Sequence, residues 1–165
     1  MDNIKPVLQH DDIKTTAALA KEIYTEHYSP IIGIAQVEYM LNKFQSEESI
    51  LSQIENNTLY YLIYNENIPI GYFAVELNNP DGKIFLSKLY IRKEARGFGL
   101  SKQALQLIKQ LSKDNNLTHL WLHVNKNNPS INIYKSLGFK ITDAVKNHIG
   151  NGFYMDDYIM ELELI

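Results

Sequence analysis

The sequence predicts a single α/β (α+β) domain. Helices are expected to cover both faces of a mixed, mostly antiparallel sheet of about seven strands. Helical spacing of apolar residues dominates the first third of the chain, whereas strand-like segments separated by turn signals dominate after residue 58. The length of 165 residues fits a single domain, expected to span 1–165, and 45% hydrophobic residues can form one core.

The N-terminal part is predicted to form a short strand and a long helix. The strand is expected at residues 4–8. Asp11 or Asp12 can cap the helix, which is expected to end before Ser29 and Pro30 because the residue preceding a proline disfavours helical geometry.

Two shorter helices should follow an irregular link at residues 30–33. Apolar residues at helical spacing predict the second helix at 37–44, and the third is predicted at 49–55. These pieces are expected to form a wall of a substrate site.

A run of strands is predicted next. Residues 59–64 and Ile68–Leu77 flank a turn at 65–67 and form a hairpin. A dense turn signal at 78–82 then leads to a third hairpin strand, Lys83–Ile91.

The last part alternates helices and strands. The clearest helix has one apolar face, formed by Leu100, Ala104, Leu107, Ile108 and Leu111. The elements predicted after it are a strand at His119–Asn125, a short helix at 130–137 and two strands at 139–145 and 154–164.

Charge and composition exclude several classes of function. The net charge of -3 provides no broad cationic surface for nucleic acid, and it suits a cationic substrate. With no cysteine there is no thiol nucleophile, disulfide or cysteine-based metal site. No apolar run is long enough to cross a bilayer. We therefore expect a cytoplasmic protein without a metal, a membrane or a nucleic-acid partner.

A glycine-containing turn joins a strand to the clearest helix. Its residues are Arg96, Gly97, Phe98, Gly99, Leu100, Ser101 and Lys102. Free N–H groups and the dipole at a helix start bind anions, which indicates a phosphate site. The sequence has no G-x-x-x-x-G-K-[ST] arrangement, and Lys102 stands where a dinucleotide fingerprint requires a third glycine.

The same turn resembles the R/Q-x-x-G-x-G/A loop of the GNAT superfamily of N-acyltransferases, with Ser101 in place of the final Gly or Ala. A second stretch, from Asn127 to Phe139, resembles the family's N-x-x-A-x-x-x-Y-x-x-x-G-F block, with Ser130 in place of Ala. The resemblance covers about residues 83–140, and the N-terminal third matches only in the order of elements.

The resemblance implies a GNAT-like domain that uses acetyl-CoA as acyl donor and transfers its acetyl group to a primary amine. The residues it assigns to cofactor binding are Leu89, Tyr90, Ile91, Arg96, Gly97, Phe98, Gly99, Leu100, Ser101, Lys102, Asn127 and Tyr134. It also implies that Tyr134 protonates the leaving CoA thiolate.

A proton acceptor for the amine is harder to identify. The central strand has Ser87 and Lys88 where many relatives place a carboxylate. His123 and Glu76 are the remaining candidates for a general base, and His123 is included with Tyr134 among the predicted catalytic residues.

The acceptor is predicted to be a small-molecule amine. Residues 152–160 resemble the end of PaiA-type spermidine/spermine acetyltransferases, so a polyamine is favoured, attracted by Asp156, Asp157, Glu76 or Glu26. A protein N-terminus, an amino acid or an antibiotic remain alternatives. So does a non-catalytic acyl-CoA sensor, and a homodimer through the final strands is compatible with the sequence.

Overall fold

The computed structural model describes residues 3–164 and confirms the predicted sheet. Seven strands lie in the order β1-β2-β3-β4-β5-β7-β6, and all neighbours are antiparallel except β4 and β5. The strands are β1 (Ile4–Pro6), β2 (Leu59–Asn65), β3 (Ile68–Leu77), β4 (Lys83–Ile91), β5 (His119–Asn125), β6 (Lys140–Gly150) and β7 (Phe153–Glu163).

Helices cover both faces of this sheet. They are α1 (His10–Ile32), α2 (Ile34–Phe44), α3 (Glu47–Glu55), α4 (Leu100–Asp114) and α5 (Ser130–Ser136). Leu105 and Ile108 of α4 belong to the core on one face, and Ile23 of α1 and Ile50 of α3 belong to the core on the other. A short 3-10 helix, Lys93–Ala95, leads from β4 to the glycine turn.

The prediction that the first helix ends before Ser29 and Pro30 is wrong. Helix α1 continues through Pro30 and stops at Gly33, which has φ +86° and whose N–H donates to the carbonyl of Ser29 at 3.0 Å. A proline removes one helical hydrogen bond but leaves its neighbours intact, and the packing of Tyr28 and Ile32 against α2 favours the longer helix. The irregular link predicted at 30–33 is therefore limited to Gly33.

The start of α1 also differs from the prediction. Gln9, and neither Asp11 nor Asp12, is the residue that precedes the first turn. The carboxylate of Asp12 instead reaches back and accepts hydrogen bonds from the backbone N–H groups of Leu8 and Gln9, at 3.2 and 3.1 Å. It therefore satisfies free N–H groups from inside the first turn.

Strand and helix ends shift by a few residues elsewhere. Ser46 accepts a hydrogen bond from the N–H of Ser49 at 3.1 Å and so starts α3 two residues before the predicted bound. β6 extends to Gly150 because its whole length pairs with β7. In β5 only alternate residues are buried, and the half-exposed face carries Trp121, His123 and Asn125.

Candidate functional site

A groove opens where β4 and β5 separate. Their ladder has three Cα pairs and ends at Phe85 opposite Trp121, although β4 continues to Ile91 and β5 to Asn125. Beyond that point the facing edges of the two strands no longer pair with each other. The resulting groove has a volume of about 570 Å³ and runs to the glycine turn and the start of α5.

The glycine turn has the geometry of an anion site. Gly97 and Gly99 have φ of +87° and +77°, a region that favours glycine, and Gly99 immediately precedes α4. A Cβ at either position would meet no protein atom within 4 Å, so the space beside the backbone is free. The first N–H groups of α4 have no partner within the helix and are available to a phosphate.

Most of the predicted cofactor residues line the groove. They are Leu89, Tyr90, Ile91, Arg96, Gly97, Gly99, Leu100, Ser101, Lys102 and Tyr134. Two do not: Phe98 points to solvent with 71% of its surface exposed, and Asn127 is also exposed. The guanidinium of Arg96 donates through Nε to the carbonyl of Ile91 at 3.1 Å and so ties the turn to the end of β4.

Asn128, which the sequence analysis missed, is the buried asparagine of this region and lines the groove. Its Oδ1 accepts from the N–H of Ser130 at 2.9 Å and lies 3.3 Å from Nε2 of His27. Its Nδ2 donates to the hydroxyl of Tyr28 at 3.0 Å. Because Asn127 and Asn128 are adjacent, no local pattern in the sequence indicates which of the two side chains is buried.

Tyr134 lies in the groove wall on α5. Its ring packs edge-on against Phe139, with centroids 5.4 Å apart. Burial raises the pKa of its hydroxyl above the ordinary value of a tyrosine. The phenol therefore stays protonated at neutral pH and is able to donate a proton into the groove.

A second cavity, of about 420 Å³, lies on the other side of β4 and is enclosed by α1, α2, α3 and the β6–β7 hairpin. Much of its wall is apolar, formed by Tyr24, Ile32, Met40, Phe44, Phe85 and Met155. We call it the acceptor cavity. Five residues line both this cavity and the groove: Tyr28, Ser87, Lys88, Tyr90 and His123.

The junction of the two spaces includes a bulge in β4. Val75 of β3 pairs with Leu86 and Ala74 pairs with Lys88, so Ser87 has no direct partner on β3. Its hydroxyl donates to the carbonyl of Ala74 at 3.2 Å. Bulges interrupt a ladder and re-aim the backbone, and this one does so where both spaces meet.

His123 stands at the same junction, partly exposed to the cavity. Its Nδ1 lies 3.7 Å from Oδ2 of Asp157, whose side chain is 5% exposed. The imidazole packs against Phe85 and Trp121, with ring centroids 5.8 and 5.5 Å away. These contacts restrict the ring, and both His123 and Tyr134 line the groove.

Lys88 and Glu76 are the other titratable pair of the acceptor cavity. Burial lowers the pKa of Lys88 to about 7, and burial raises the pKa of Glu76. The ammonium of Lys88 donates to the carbonyl of Phe44 at 2.7 Å, to Oε1 of Gln53 at 3.0 Å and to the hydroxyl of Tyr60. The ammonium group of Lys88 therefore makes its three hydrogen bonds to protein atoms.

The four carboxylates predicted to attract a polyamine separate into two groups. Glu76 and Asp157 line the acceptor cavity. Asp156 pairs on the surface with Lys126 at 2.9 Å, and Glu26 is exposed on α1; neither lines either space.

The Acetyltransferase (GNAT) family profile matches residues 20–139, which contain most of the sheet, the glycine turn and α5. The chain belongs to this family. It is therefore an acyl-CoA-dependent N-acetyltransferase, and the groove with its glycine turn fits the coenzyme that such an enzyme uses. Within residues 3–164, no helix is long and apolar enough to cross a membrane.

Solved structures of other N-acetyltransferases have the same fold. The PaiA N-acetyltransferase of Thermoplasma acidophilum, solved with coenzyme A, is similar with a TM-score of 0.80 and 23% identity, covering 97% of this chain and 98% of that one. The ribosomal-protein-alanine N-acetyltransferase of Brucella melitensis has a TM-score of 0.69 and 19% identity, covering 97% and 98%.

A curated relative has a similar chain length. It is a Bacillus subtilis (strain 168) protein provisionally assigned as an acetyltransferase, 22% identical over 138 residues, which are 84% of this chain and 83% of that protein. At these identities the structural likeness supports the fold alone.

Proposed function

We propose that this GNAT enzyme transfers the acetyl group of acetyl-CoA to a primary amine of a small cationic molecule, with a polyamine as the favoured class. The observation that carries this proposal is the junction of the groove with the acceptor cavity. Two molecules, one in each space, can meet at Ser87 and His123. A cavity of this volume is of the size that takes a small ligand.

Acetyl-CoA would supply the acetyl group as an activated thioester. The turn from Arg96 to Lys102 would hold its phosphates, and the free edge of β4 from Leu89 to Ile91 would hold its pantetheine arm. Asn128, in place of the predicted Asn127, is the asparagine that lines this groove. A backbone N–H of β4 near the bulge at Ser87 would stabilise negative charge on the acetyl oxygen.

The amine has to be neutral when it attacks. An amine with a pKa near 10.4 costs about 4 to 5 kcal/mol to deprotonate at pH 7. His123 is the proton acceptor at the junction, since it lines both spaces. General-base assistance of this kind typically contributes a factor of about 10² to 10⁴ in rate.

The proton needed by the leaving thiolate would come from Tyr134. Its hydroxyl lies in the groove wall and remains protonated at neutral pH because burial raises its pKa. The amine would enter from the acceptor cavity and the thiolate would leave into the groove, so base and acid serve opposite sides of the junction.

The preference for a polyamine rests on the lining of the acceptor cavity. Two carboxylates, Glu76 and Asp157, are set among tyrosines and other aromatic side chains. Carboxylates pair with ammonium groups, and aromatic faces attract them while accommodating the methylene segments between them. A linear diamine or polyamine matches both features, as does the resemblance of residues 152–160 to PaiA-type enzymes.

The proposal is tested by measuring thiol release from acetyl-CoA with a panel of acceptors: spermidine, a monoamine of equal length, an amino acid and an N-terminal peptide. We expect spermidine to have the highest kcat/KM. In Glu76→Gln, KM for spermidine should rise while KM for the monoamine stays close to that of the wild type. Binding of acetyl-CoA in calorimetry without turnover of any amine would instead favour the acyl-CoA sensor, and preference for the peptide would contradict the acceptor class.

A further inference from the structure

Asp157 is a buried carboxylate in the middle of β7, with 4% of its surface exposed. Burying an ionised carboxylate is costly unless a positive or hydrogen-bonding partner is near. Within residues 3–164, His123 is its one ionic partner, at 3.7 Å between Oδ2 and Nδ1. The neighbouring imidazole of His123 therefore accounts for the burial of this carboxylate.

The register of the sheet creates this pair. Asn125 lies opposite Asp157 and His123 lies opposite Ile159 in the β5–β7 ladder, so these side chains share one face of the sheet. His123 and Asp157 are diagonal neighbours on that face, within reach of long or aromatic side chains. Phe85 and Trp121 restrict the ring from the side of β4 and from along β5.

We propose that Asp157 is a positioning residue, which holds His123 with its proton on Nδ1 and leaves the lone pair of Nε2 free for the amine. The inference rests on the proposed role of His123 as the base. Nδ1 is buried and has no hydrogen-bond partner within residues 3–164, so the carboxylate is the acceptor within its reach. A separation of 3.7 Å is longer than a hydrogen bond, and such contacts tighten when the ligands bind.

The chemistry follows from the two states of the imidazole. A neutral imidazole is a base only at the nitrogen that lacks a proton, so the tautomer decides which direction the base faces. When Nε2 takes a proton from the ammonium of the acceptor, the ring becomes positively charged. The adjacent carboxylate then stabilises that charge, and no proton needs to move to Asp157.

Other titratable groups also share the cavities with His123. They are Lys88 and Tyr90 on β4, Glu76 on β3, Tyr24, His27 and Tyr28 on α1, Arg96 and Lys102 of the glycine turn, and Tyr134 on α5. Burial keeps the tyrosines protonated at neutral pH by raising their pKa values, and it lowers the pKa of Lys88. The charge of Asp157 adds to the raised pKa values of Tyr24 and Tyr28, but burial is the larger cause, so both tyrosines stay protonated at neutral pH when Asp157 is altered.

The first test is the tautomer of His123, read from its imidazole ¹⁵N chemical shifts in the wild-type enzyme at a pH where the ring is neutral. We expect the Nδ1–H form. Asp157→Asn should shift the population toward Nε2–H, because an amide can donate to Nδ1. The matched control is Asp156→Asn, the same change one residue earlier on the strand, and it should leave the spectrum unchanged. A predominantly Nε2–H form in the wild type would overturn the inference without any variant.

The second test is kinetic. Asp157→Asn should lower kcat by about 10- to 100-fold, because the imidazolium loses its stabilising charge. The double variant with His123→Gln should be no slower than His123→Gln alone. Additive losses would overturn the positioning role. A wild-type enzyme that acetylates no amine would contradict the proposed function instead. The tautomer measurement does not depend on turnover, and it would still show whether Asp157 holds the proton of His123 on Nδ1.

Discussion

Phe85 and Trp121 are the last residues at which β4 and β5 pair, and their rings stack with centroids 4.2 Å apart. The strands separate directly after this stacked pair. The groove begins there on one side, and the acceptor cavity includes Phe85 on the other. The ladder between β4 and β5 therefore ends at this aromatic pair, beside the junction where the two substrates are proposed to meet.

The assignment of the glycine turn as the phosphate site can be tested by comparing alanine substitutions at two glycines. Gly99→Ala places an alanine at φ +77°, and Gly82→Ala places one at φ +82° in the β3–β4 turn; neither Cβ meets a protein atom within 4 Å. Both variants should lose about 1 to 2 kcal/mol of unfolding free energy. Only Gly99→Ala should also weaken CoA binding in calorimetry, by at least about tenfold, because its methyl group lies beside the backbone that approaches the phosphates. Equal CoA affinity in the two variants would contradict the assignment of the turn.

Tyr134→Phe tests the proton donor. The phenylalanine keeps the packing on Phe139, so stability and CoA affinity should change little. We expect kcat to fall by about 10² or more, since a positioned acid contributes about that factor. Tyr154→Phe, which removes the hydroxyl of a tyrosine 48% exposed on β7, is the control and should keep the wild-type rate. A fully active Tyr134→Phe enzyme would exclude this tyrosine as the acid.

Lys88 gives a prediction about stability and pH. Its pKa is about 7 in the folded protein and about 10.4 in an unfolded chain, so between these values the unfolded state binds more protons. The free energy of unfolding should therefore rise as pH increases from about 7 towards 10, by at most about 1.4 kcal/mol per pH unit from this group. Lys88→Met should remove that contribution to the slope.

Urea unfolding at several pH values in this range measures the effect. Lys109→Met, which replaces an exposed lysine on α4, is the control and should keep the wild-type slope. The absolute stability of Lys88→Met also reflects the loss of hydrogen bonds to Phe44, Gln53 and Tyr60. The slope is the diagnostic quantity, and an unchanged slope would show that Lys88 is protonated in the fold across this range.

Local patterns in the sequence predicted most of the residues that line the groove, but not Asn128, and the predicted Phe98 and Asn127 do not line it. Gly97 and Gly99 indicate a backbone that only glycine adopts readily, and Tyr134 lies within a recognisable helix-to-strand block. Both features depend on neighbours within a few residues. That is why the turn and the tyrosine could be predicted to share one groove, and the structure brings them together there.

The acceptor side depends on contacts between distant parts of the chain. The pairing of His123 with Asp157 requires the register of β5 against β7, and the shared cavity of Glu76 and Lys88 requires the bulge in β4. No local pattern specifies either. Tertiary packing likewise overrides the proline signal in α1, where Tyr28 packs edge-on against Tyr90 of β4 with ring centroids 6.1 Å apart.

The most direct test of the central claim is product analysis by mass spectrometry after the wild-type enzyme is incubated with acetyl-CoA and spermidine, with His123→Gln in parallel. We predict N-acetylated spermidine in amounts equal to the thiol released, and a rate about 10² lower for His123→Gln. Thiol release without acetylated amine, or equal rates in the two proteins, would contradict a site in which the groove and the acceptor cavity meet at His123.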